Sequence, residues 1–564
     1  MLSWLFAPTA SATLDYIKDR PLRFGCMGWD RVVDVVVVGS GGAALTAATL
    51  AHDAGAEVSV LEKAPIIGGT TAVSGGVMWL PGNDRMGEAG VDDNREDALA
   101  YLSRLAVRAP DRQLLEVFVD AAAEVLRYLE AHTPLSTHIT PLLDYYAPWG
   151  VPGSRRVPGR AVEADPFPVG DELPEWAGRL AKRGALMSLG AASTLSEDLA
   201  PASPELAAEL RRREEQDVRP KGAALIGRLL KGLIDRQVRP EVGTPVSELI
   251  LDGDGGVIGV LASHRDRKMR VGARKGVILA CGGFEWNPEL VAAHIGYDVK
   301  PLTPPNNVGD GLRMASSAGA QLANMGSYWG TPAMVDPTVT HDGVPIPQFE
   351  WGRGSPASIV VNAAGRRFAN EALPYNDFPK AFGAFDANQA TFPNAAPGWL
   401  IFDSSVRDSQ RIMSMLPGSP DPEWVVKAQT IADLARRACV DRDGLCATVD
   451  RWNESAAAGI DPDFSRHRLG MMVPGRVAPI ERPPFYAVPV YPGSIGTNGG
   501  PQVDSEGRVL RSGGGVIEGL YAAGNTAANI FGWAYPSGGG TIANAVVMGF
   551  LAGRAAGRRA SHAI

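Results

Sequence analysis

The glycines that follow the first apolar run have the spacing of a dinucleotide-binding turn. Gly39, Gly41 and Ala44 fit the pattern G-x-G-x-x-G/A. In that pattern the first glycine allows a sharp turn, the second lets a pyrophosphate approach the backbone, and the small third residue permits close helix–sheet packing. Glu62 follows Gly39 by 23 residues, which is the distance at which an acidic side chain accepts hydrogen bonds from a ribose. These residues predict a dinucleotide site.

Two strands and a helix must position these residues. Residues 32–38 form a nearly continuous β-branched run, typical of a strand buried on both faces of a parallel sheet. A helical pattern then extends to Ala54, and a second short strand covers residues 57–61. Taken alone, the glycines could equally close an ordinary tight turn. Because strand, helix, second strand and acid occur in the order of a βαβ unit, the dinucleotide interpretation is favoured.

A second glycine-rich stretch directly after Glu62 favours FAD over a nicotinamide cofactor, since nicotinamide enzymes rarely need one. Residues 277–283 and 519–525 are further short strands that end in glycine, and residues 538–545 are a glycine turn leading into a helix. The amides at that helix start would stabilise negative charge on a reduced flavin. The candidate FAD-binding residues are Gly39, Ser40, Gly41, Gly42, Ala43, Ala44, Glu62, Lys63, Gly68, Gly69, Thr70, Thr71, Ser74, Gly75, Gly76, Val246, Ala280, Gly282, Asp310, Gly524, Asn525, Gly540, Thr541 and Ile542.

Composition excludes several function classes. The 54 Lys and Arg against 62 Asp and Glu give a net charge of −8, which provides no basic field for a polynucleotide. Four scattered cysteines without a C-x-x-C pair predict no disulfide framework and favour a reducing cytoplasm. The eight dispersed histidines predict no metal site. Because no apolar run approaches 18 residues, nothing is expected to span a bilayer. A peripheral contact of residues 180–199 with the inner membrane surface stays open.

The chain organisation indicates an α/β fold. Residues 1–30 are predicted to be an N-terminal arm. A Rossmann-like FAD-binding domain is expected from both chain ends, residues 31–327 and 495–564. Residues 328–494 have little periodic regularity and many aromatic and proline residues, so they are predicted to form an inserted α+β catalytic domain that faces the substrate.

Beyond the dinucleotide fingerprint, several segments carry a family resemblance. They are residues 61–63, 68–70, 74–76, 79–81, 144–146, 224–227, 370–375, 496–500 and 535–536. Jointly they make the chain resemble the 3-ketosteroid Δ1-dehydrogenase family, a branch of the succinate dehydrogenase and fumarate reductase flavoproteins. The resemblance covers residues 33–556, approximately. Thr71 stands in the region where succinate dehydrogenases carry a flavin-linking histidine, so the resemblance implies non-covalent FAD.

The resemblance also implies a reaction and its catalytic residues. The Tyr535 hydroxyl and the Gly539 backbone N–H would bind the C3 oxygen of a 3-ketosteroid as an oxyanion hole. Tyr375 would remove the C2 proton, and Tyr145 would hydrogen-bond to Tyr375 and favour its phenolate. Flavin N5 would take the hydride from C1. The resemblance implies an external electron acceptor as well, a quinone or another carrier. Leu142 and Phe349 are expected to contact the apolar rings.

One departure from the family pattern leaves the regiochemistry open. Δ1 enzymes usually read Tyr-Pro-Gly-Pro-Gly where this chain reads Tyr535-Pro536-Ser537-Gly538-Gly539. In the related Δ4-dehydrogenases of 3-keto-5α-steroids a serine at this spacing abstracts the C4 proton, and Ser537 fits it. The chain length and the Asp144-Tyr145-Tyr146 segment favour 1,2-dehydrogenation. Action on another cyclic enone is a further alternative.

Two other classes of protein are weighed against a ketosteroid dehydrogenase. A fumarate reductase needs arginines to hold two carboxylates, and Tyr375 and the segment 535–537 stand where the family carries them. A redox-silent flavoprotein that serves as a binding or structural partner, and in which FAD only stabilises the fold, is disfavoured by the intact set of three tyrosines. The sequence therefore predicts an FAD-dependent oxidoreductase.

Overall fold

The computed structural model describes residues 28–108, 111–181, 192–265, 267–341, 344–349 and 352–564. Most of the predicted N-terminal arm, and residues 182–191 of the stretch considered for a membrane contact, therefore lie outside the described residues. In the described parts of the chain, no helix is both long enough and apolar enough to cross a bilayer.

The described strands and helices are interspersed along the chain. The strands are β1 (Arg31–Val38), β2 (Val58–Leu61), β3 (Val77–Trp79), β4 (Thr137–Ile139), β5 (Ala161–Ala164), β6 (Phe167–Pro168), β7 (Val218–Arg219), β8 (Val246–Leu251), β9 (Val257–His264), β10 (Arg267–Leu279), β11 (Lys300–Pro301), β12 (Leu322–Ala323), β13 (Tyr328–His341), β14 (Val344–Phe349), β15 (Ser358–Val361), β16 (Gly398–Phe402), β17 (Val426–Ala428), β18 (Phe485–Thr497), β19 (Gly500–Pro501), β20 (Arg508–Leu510) and β21 (Val516–Ala522). The helices are α1 (Gly42–Asp53), α2 (Gly69–Ala72), α3 (Asp84–Glu88), α4 (Arg95–Leu105), α5 (Gln113–His132), α6 (Val169–Glu172), α7 (Leu195–Leu199), α8 (Pro204–Glu215), α9 (Lys221–Asp235), α10 (Pro288–His294), α11 (Asp310–Ser317), α12 (Ser404–Ser409), α13 (Ile431–Ala438), α14 (Arg442–Ala456) and α15 (Gly540–Arg558).

The first large sheet has a parallel centre in the order β2-β1-β10-β21, with β20 antiparallel at one edge. The predicted strand–helix–strand order is present, and the first strand is observed at Arg31–Val38. Val35, Val36 and Val37 are fully buried, as expected for a β-branched run inside a parallel sheet. The four parallel strands all end at the same edge, which is where α/β folds of this type bind their ligands.

Helices α1 and α15 bring the two ends of the chain together. Gly549 and Gly553 of α15 face α1 so closely that an added Cβ would lie 2.5 Å from the Ala43 carbonyl oxygen and 2.3 Å from that of Ala47. Only glycine allows backbones to approach this closely. The amino ends of both helices consequently lie beside the carboxyl edge of the parallel strands.

The second large sheet has the order β14-β13-β18-β16-β15 and a hydrophobic core of its own, which includes Ile359, Leu400, Phe402 and Trp452. Two features differ from the predicted domain boundaries. Strand β18 continues to Thr497, beyond residue 494, and β11 pairs with β18 although residues 300–301 were assigned to the other domain. The two predicted domains are thus joined through shared strands rather than through a flexible linker.

Candidate active site

A cavity of about 580 Å³ lies at the carboxyl edge of the parallel strands, and residues of the second sheet also line it. The predicted FAD-binding residues on its wall are Gly39, Ser40, Gly41, Gly42, Ala43, Glu62, Lys63, Gly69, Thr70, Thr71, Ser74, Gly75, Gly76, Val246, Ala280, Gly282, Asp310, Gly524, Asn525, Thr541 and Ile542. Ala44, Gly68 and Gly540 lie behind this wall. Ala44 is buried in α1, and the Gly68 amide donates to Ser40 Oγ at 3.0 Å.

Gly39 makes the turn after β1. Its φ is +108°, and a Cβ at this position would lie 2.4 Å from the Ala280 carbonyl oxygen. A side chain is therefore excluded both by the left-handed backbone and by the adjacent strand end. The turn leads directly into the amino end of α1, where backbone N–H groups favour phosphate.

Glu62 terminates β2 on the cavity wall. Its Oε2 accepts from Ser40 Oγ at 2.6 Å, and its Oε1 accepts from the Ala64 amide at 2.7 Å. Burial raises the pKa of Glu62. The two hydrogen bonds fix the carboxyl group in an orientation from which it can accept further hydrogen bonds from a ribose.

The segment before α11 forms another part of this wall, which sequence reasoning found only at Asp310. Lys63 Nζ donates to the Asn306 carbonyl oxygen at 2.7 Å and pairs with Asp310 Oδ2 at 2.5 Å. Asn307 Nδ2 donates to Thr70 Oγ1 at 3.0 Å. The Asn-Asn pair was the available signal, but it lacks the glycine spacing that marks the other turns.

These features fit a flavin dinucleotide. The wall combines a glycine cradle that a Cβ would fill, a fixed carboxyl group at the end of β2, and the amino ends of two helices. The second helix, α15, begins after Gly539, whose φ of +94° and Cβ position 2.6 Å from the Val77 carbonyl oxygen require glycine. Backbone amides at both ends of the cavity thus favour negative charge on a bound ligand.

Three predicted catalytic tyrosines meet on the same cavity wall, although they come from distant segments. The ring centroids of Tyr145 and Tyr375 are 5.5 Å apart, those of Tyr375 and Tyr535 are 5.4 Å apart, and those of Tyr145 and Tyr535 are 6.1 Å apart. All three side chains are buried. The cluster places three phenol groups where one small ring can contact them together.

Backbone and side-chain contacts fix the tyrosine cluster. The Tyr145 amide donates to the Pro536 carbonyl oxygen at 3.0 Å, so the segments that carry Tyr145 and Tyr535 are joined directly. The Tyr535 hydroxyl oxygen accepts from the Thr541 amide at 3.3 Å and from Thr541 Oγ1 at 3.2 Å. A hydrogen bond also joins the Tyr535 hydroxyl to that of Tyr375.

Burial controls the acidity of two of these phenols. It raises the pKa of Tyr145, and it raises the pKa of Tyr375 far above its usual range. A hydrogen bond joins the two hydroxyl groups. A phenolate in such a buried site needs hydrogen bonds from its neighbours. Ionisation of one of these two tyrosines therefore depends on whether the other donates a hydrogen bond to it.

Tyr146 and Ser537 point away from the cluster. The Tyr146 hydroxyl donates to Asp377 Oδ2 at 2.5 Å, which identifies Tyr145 as the inward-facing member of the Asp144-Tyr145-Tyr146 segment. The Ser537 hydroxyl is buried and donates to the Leu143 carbonyl oxygen at 2.7 Å. Ser537 does not belong to the described cavity wall.

The rest of the wall is largely apolar. Besides the expected Leu142 and Phe349, it includes Leu195, Leu199, Met413, Met471 and Met472, which sequence reasoning missed. Phe349 packs edge-on against Tyr375, with ring centroids 5.1 Å apart. Leu195 and Leu199 lie four residues apart on α7, whereas the three methionines lie in two loops that are distant in sequence. No single pattern in the sequence therefore identifies the five residues together.

A buried carboxylate holds α7 in this wall. Glu163 accepts from the Leu195 amide at 2.8 Å, from the Ser196 amide at 2.8 Å and from Ser196 Oγ at 2.6 Å. His138 lies 3.1 Å from Glu163 and 2.7 Å from Asp165. The hydrogen bonds to these carboxylates raise the pKa of His138 to about 9. This charged group thus anchors the helix that carries Leu195 and Leu199.

Comparison with known proteins shows the family of this chain. The family described as FAD binding domain matches residues 34–542. The 4-oxocyclohexanecarboxylate 2-dehydrogenase of Sinomonas cyclohexanicum is 35% identical over 543 residues, and the match covers 92% of each chain. The 3-oxosteroid 1-dehydrogenase of Mycobacterium tuberculosis is 34% identical, with 92% of this chain and 97% of that protein covered.

A solved structure has the same fold. The crystal structure of 3-ketosteroid Δ1-dehydrogenase from Sterolibacterium denitrificans in complex with 1,4-androstadiene-3,17-dione matches with a TM-score of 0.84 at 31% identity. The match covers 93% of this chain and 99% of that one. The predicted α/β FAD-binding fold and the predicted cofactor, FAD, are confirmed. The chain belongs to the FAD-dependent flavoprotein family of the 3-oxosteroid 1-dehydrogenases.

Proposed function

We propose that this protein catalyses the 1,2-dehydrogenation of a 3-ketosteroid. The observation that carries the proposal is the meeting of Tyr145, Tyr375 and Tyr535 on the wall that also holds the FAD-binding turns. The named activities of the relatives from Mycobacterium tuberculosis and Sterolibacterium denitrificans support the same reaction. An external electron acceptor, a quinone or another carrier, would complete the cycle.

The oxyanion hole would consist of the Tyr535 hydroxyl and the Gly539 amide. Forming a double bond beside a ketone removes one hydrogen as a proton, and the ketone acidifies its α-carbon only when the developing enolate oxygen is stabilised. Thr541 donates to the Tyr535 oxygen and orients this hydroxyl group on the cavity wall, from which it would donate to the substrate oxygen. Gly539 lies on the cavity wall, and its amide has no hydrogen-bond acceptor among the described residues.

Tyr375 would take the proton from C2. Its hydroxyl lies between those of Tyr145 and Tyr535 in the hydrogen-bonded cluster. Burial raises the pKa of Tyr375, and the hydrogen bonds to Tyr535 and Tyr145 raise it further. Tyr375 would therefore become a base only when a neighbouring hydroxyl turns to donate to its oxygen. Tyr145 would provide this stabilisation and share the phenolic proton. Bound FAD supplies the hydride acceptor for the second hydrogen.

The position of Ser537 supports 1,2- over 4,5-dehydrogenation. Its hydroxyl hydrogen-bonds to the Leu143 carbonyl oxygen and lies behind the described wall. Abstraction of a C4 proton by Ser537 would require that bond to break and the side chain to rotate toward the cavity. No such rearrangement is needed for Tyr375.

A second candidate is dehydrogenation of a smaller cyclic ketone. The relative named 4-oxocyclohexanecarboxylate 2-dehydrogenase is as similar to this chain as the steroid enzymes are. Both reactions introduce a double bond next to a ring ketone, so the tyrosine cluster suits either substrate.

Anaerobic reduction of the bound flavin tests both candidates. The purified holoprotein is mixed with androst-4-ene-3,17-dione, a saturated 5α-3-ketosteroid or 4-oxocyclohexanecarboxylate, and the visible flavin band is followed. We expect bleaching with the first ketone and formation of the 1,4-diene, identified by mass spectrometry and NMR. Bleaching by the monocyclic ketone alone would favour the second candidate. A 4-ene product that depends on Ser537, or no bleaching with any ketosteroid, would contradict the main proposal.

A further inference from the structure

Among the described residues, five charged side chains line the cavity, and four of them have an evident role or partner. They are Glu62, Lys63, Asp198, Asp310 and Arg411. The first two and Asp310 belong to the dinucleotide end. Asp198 pairs with Lys221 at 2.8 Å. Arg411 remains, and no carboxylate among the described residues lies within ion-pair distance of its guanidinium.

Arg411 is held by a tight turn. Its Nε donates to the Met413 carbonyl oxygen at 2.9 Å. Reciprocal backbone hydrogen bonds of 3.0 and 2.9 Å between Ile412 and Met415 close the turn, and the Ser414 hydroxyl bonds to Asp336 on β13. With Nε engaged, the two Nη groups form a fork whose geometry matches that of a carboxylate.

Arg411 and the tyrosines line the same cavity but lie at different depths. Tyr145 and Tyr535 are almost fully buried, whereas Arg411 is exposed. A substrate whose ketone oxygen reaches the buried Tyr535 has its far end in the more exposed part of the cavity, and Arg411 is a cation available there. The Met472 amide donates to the Tyr145 carbonyl oxygen at 3.2 Å, and Met413, two residues after Arg411, lies on the same wall. Both methionine side chains suit apolar rings. A single cation at the rim of an apolar pocket favours a ligand that carries one negatively charged group.

We propose that the substrate carries a carboxylate at the end remote from its reacting ketone, and that Arg411 binds this carboxylate. The inference rests on the proposed function and specifies its substrate class as oxo-acids of fused or single rings. Arg411 acts in specificity only, since the bond changes occur at the other end of the ring system.

Paired neutral and charged substrates test the role of Arg411. We would measure kcat and KM for 3-oxochol-4-en-24-oate and for its methyl ester with the wild-type holoenzyme, Arg411→Leu, Arg411→Lys and Arg476→Leu. Arg476 is an exposed arginine of a nearby loop that is not on the cavity wall, so it provides a matched control.

We expect the wild type to prefer the acid by about tenfold to hundredfold in KM, the size of one charge-assisted hydrogen-bonded pair. This preference should fall to about one in Arg411→Leu and recover in part in Arg411→Lys, because lysine keeps the charge but lacks the fork. Arg476→Leu should keep the wild-type preference. Arg411-dependent turnover of 4-oxocyclohexanecarboxylate would also support the inference.

Two results distinguish the inference from the function on which it rests. Turnover of acid and ester with equal KM in the wild type, or an acid preference retained in Arg411→Leu, would overturn the role of Arg411 and leave the dehydrogenase activity standing. Absence of turnover with every ketone would overturn the proposed function. A spectral titration of the flavin band with acid and ester still measures their two Kd values, and equal values there would overturn the inference independently.

Discussion

The dinucleotide end and the tyrosine end of the cavity are built differently. At the first, Gly39, Glu62 and the amino end of α1 come from one continuous βαβ unit, and much of the binding surface is backbone. At the second, the functional groups are side-chain hydroxyls at positions 145, 375 and 535, which are separated by 230 and 160 residues along the chain. The first end depends on local chain geometry, and the second depends on the packing of the whole molecule.

This difference predicts different consequences of mutation. A substitution that distorts the glycine turns of the dinucleotide end should release FAD, because no neighbouring side chain can replace a binding surface made of backbone. Damage to a tyrosine hydroxyl should leave FAD in place and stop the chemistry. Variants at the two ends are therefore separable by measuring flavin content and turnover side by side.

The largest expected effect is that of Tyr375→Phe. Loss of the proposed base should lower kcat about 10³-fold, within the range of general acid–base catalysis, while flavin content and melting temperature stay close to wild type. Stopped-flow flavin reduction with androst-4-ene-3,17-dione measures the loss. Tyr146→Phe is the control, since the Tyr146 hydroxyl bonds to Asp377 outside the cavity wall. Unchanged turnover in Tyr375→Phe would remove this residue from the mechanism.

At the other end, Gly39→Ala should lose FAD. The new Cβ would come within 2.4 Å of the Ala280 carbonyl oxygen, with a φ of +108°, so we expect the free energy of unfolding to fall by about 3 kcal/mol or more. Gly55→Ala is the matched control, because Gly55 also has a positive φ, +86°, but has open space around it. That control should cost only about 1 kcal/mol. The flavin-to-protein absorbance ratio and urea unfolding measure both variants. Full flavin retention in Gly39→Ala would contradict the expected role of the Gly39 turn in binding FAD.

A smaller effect is expected from Thr541→Val at the junction of the two ends. The change removes one of the two donors to the Tyr535 oxygen, the hydroxyl at 3.2 Å, and keeps the amide at 3.3 Å. One neutral hydrogen bond is worth about 1 kcal/mol, so kcat should fall by about fivefold. Thr541→Ser should restore the rate. A loss as large as that in Tyr375→Phe would mean that Thr541 has a role beyond orienting Tyr535.

The smallest effect concerns the wall near α7 and depends on pH. The carboxylates of Asp165 and Glu163 raise the pKa of His138 to about 9. A histidine whose pKa is raised on folding contributes its full stabilisation at pH values below its unfolded-state pKa of about 6.5. This contribution is lost as the pH rises through its folded-state pKa of about 9. Because the ring is partly exposed, we expect only about 1 kcal/mol. Urea unfolding of wild type and His138→Gln should differ near pH 6 and converge near pH 10. A constant difference would show that the charge of His138 does not stabilise the fold.

The sequence allowed the dinucleotide end to be predicted because its signals are local. The β-branched run, the glycine spacing and Glu62 lie within one short segment, and the observed strand β1 agrees with that reading. The exposed part of the cavity wall at Arg411 could not be predicted in the same way. Arg411 reaches the cavity through a loop whose position depends on β13, and no spacing in the sequence reveals that contact.

Ser537 shows the same limit at a single position. Its spacing from Tyr535 is compatible with a base, but its hydroxyl donates to a carbonyl oxygen 394 residues away in the chain. A hydrogen bond of that sequence separation is set by tertiary packing alone. The tyrosines themselves were identified by family resemblance, and only the folded structure shows that their rings meet.

The glycine contacts between α15 and α1 have a consequence for biosynthesis. Ala43 and Ala47 are encoded early, yet the helix that packs against them begins at Gly540. A ribosome that has not reached that codon holds a nascent chain in which one side of α1 has no neighbour. Flavin loading should accordingly wait for translation of α15, and limited cofactor supply would act on completed chains rather than on nascent ones.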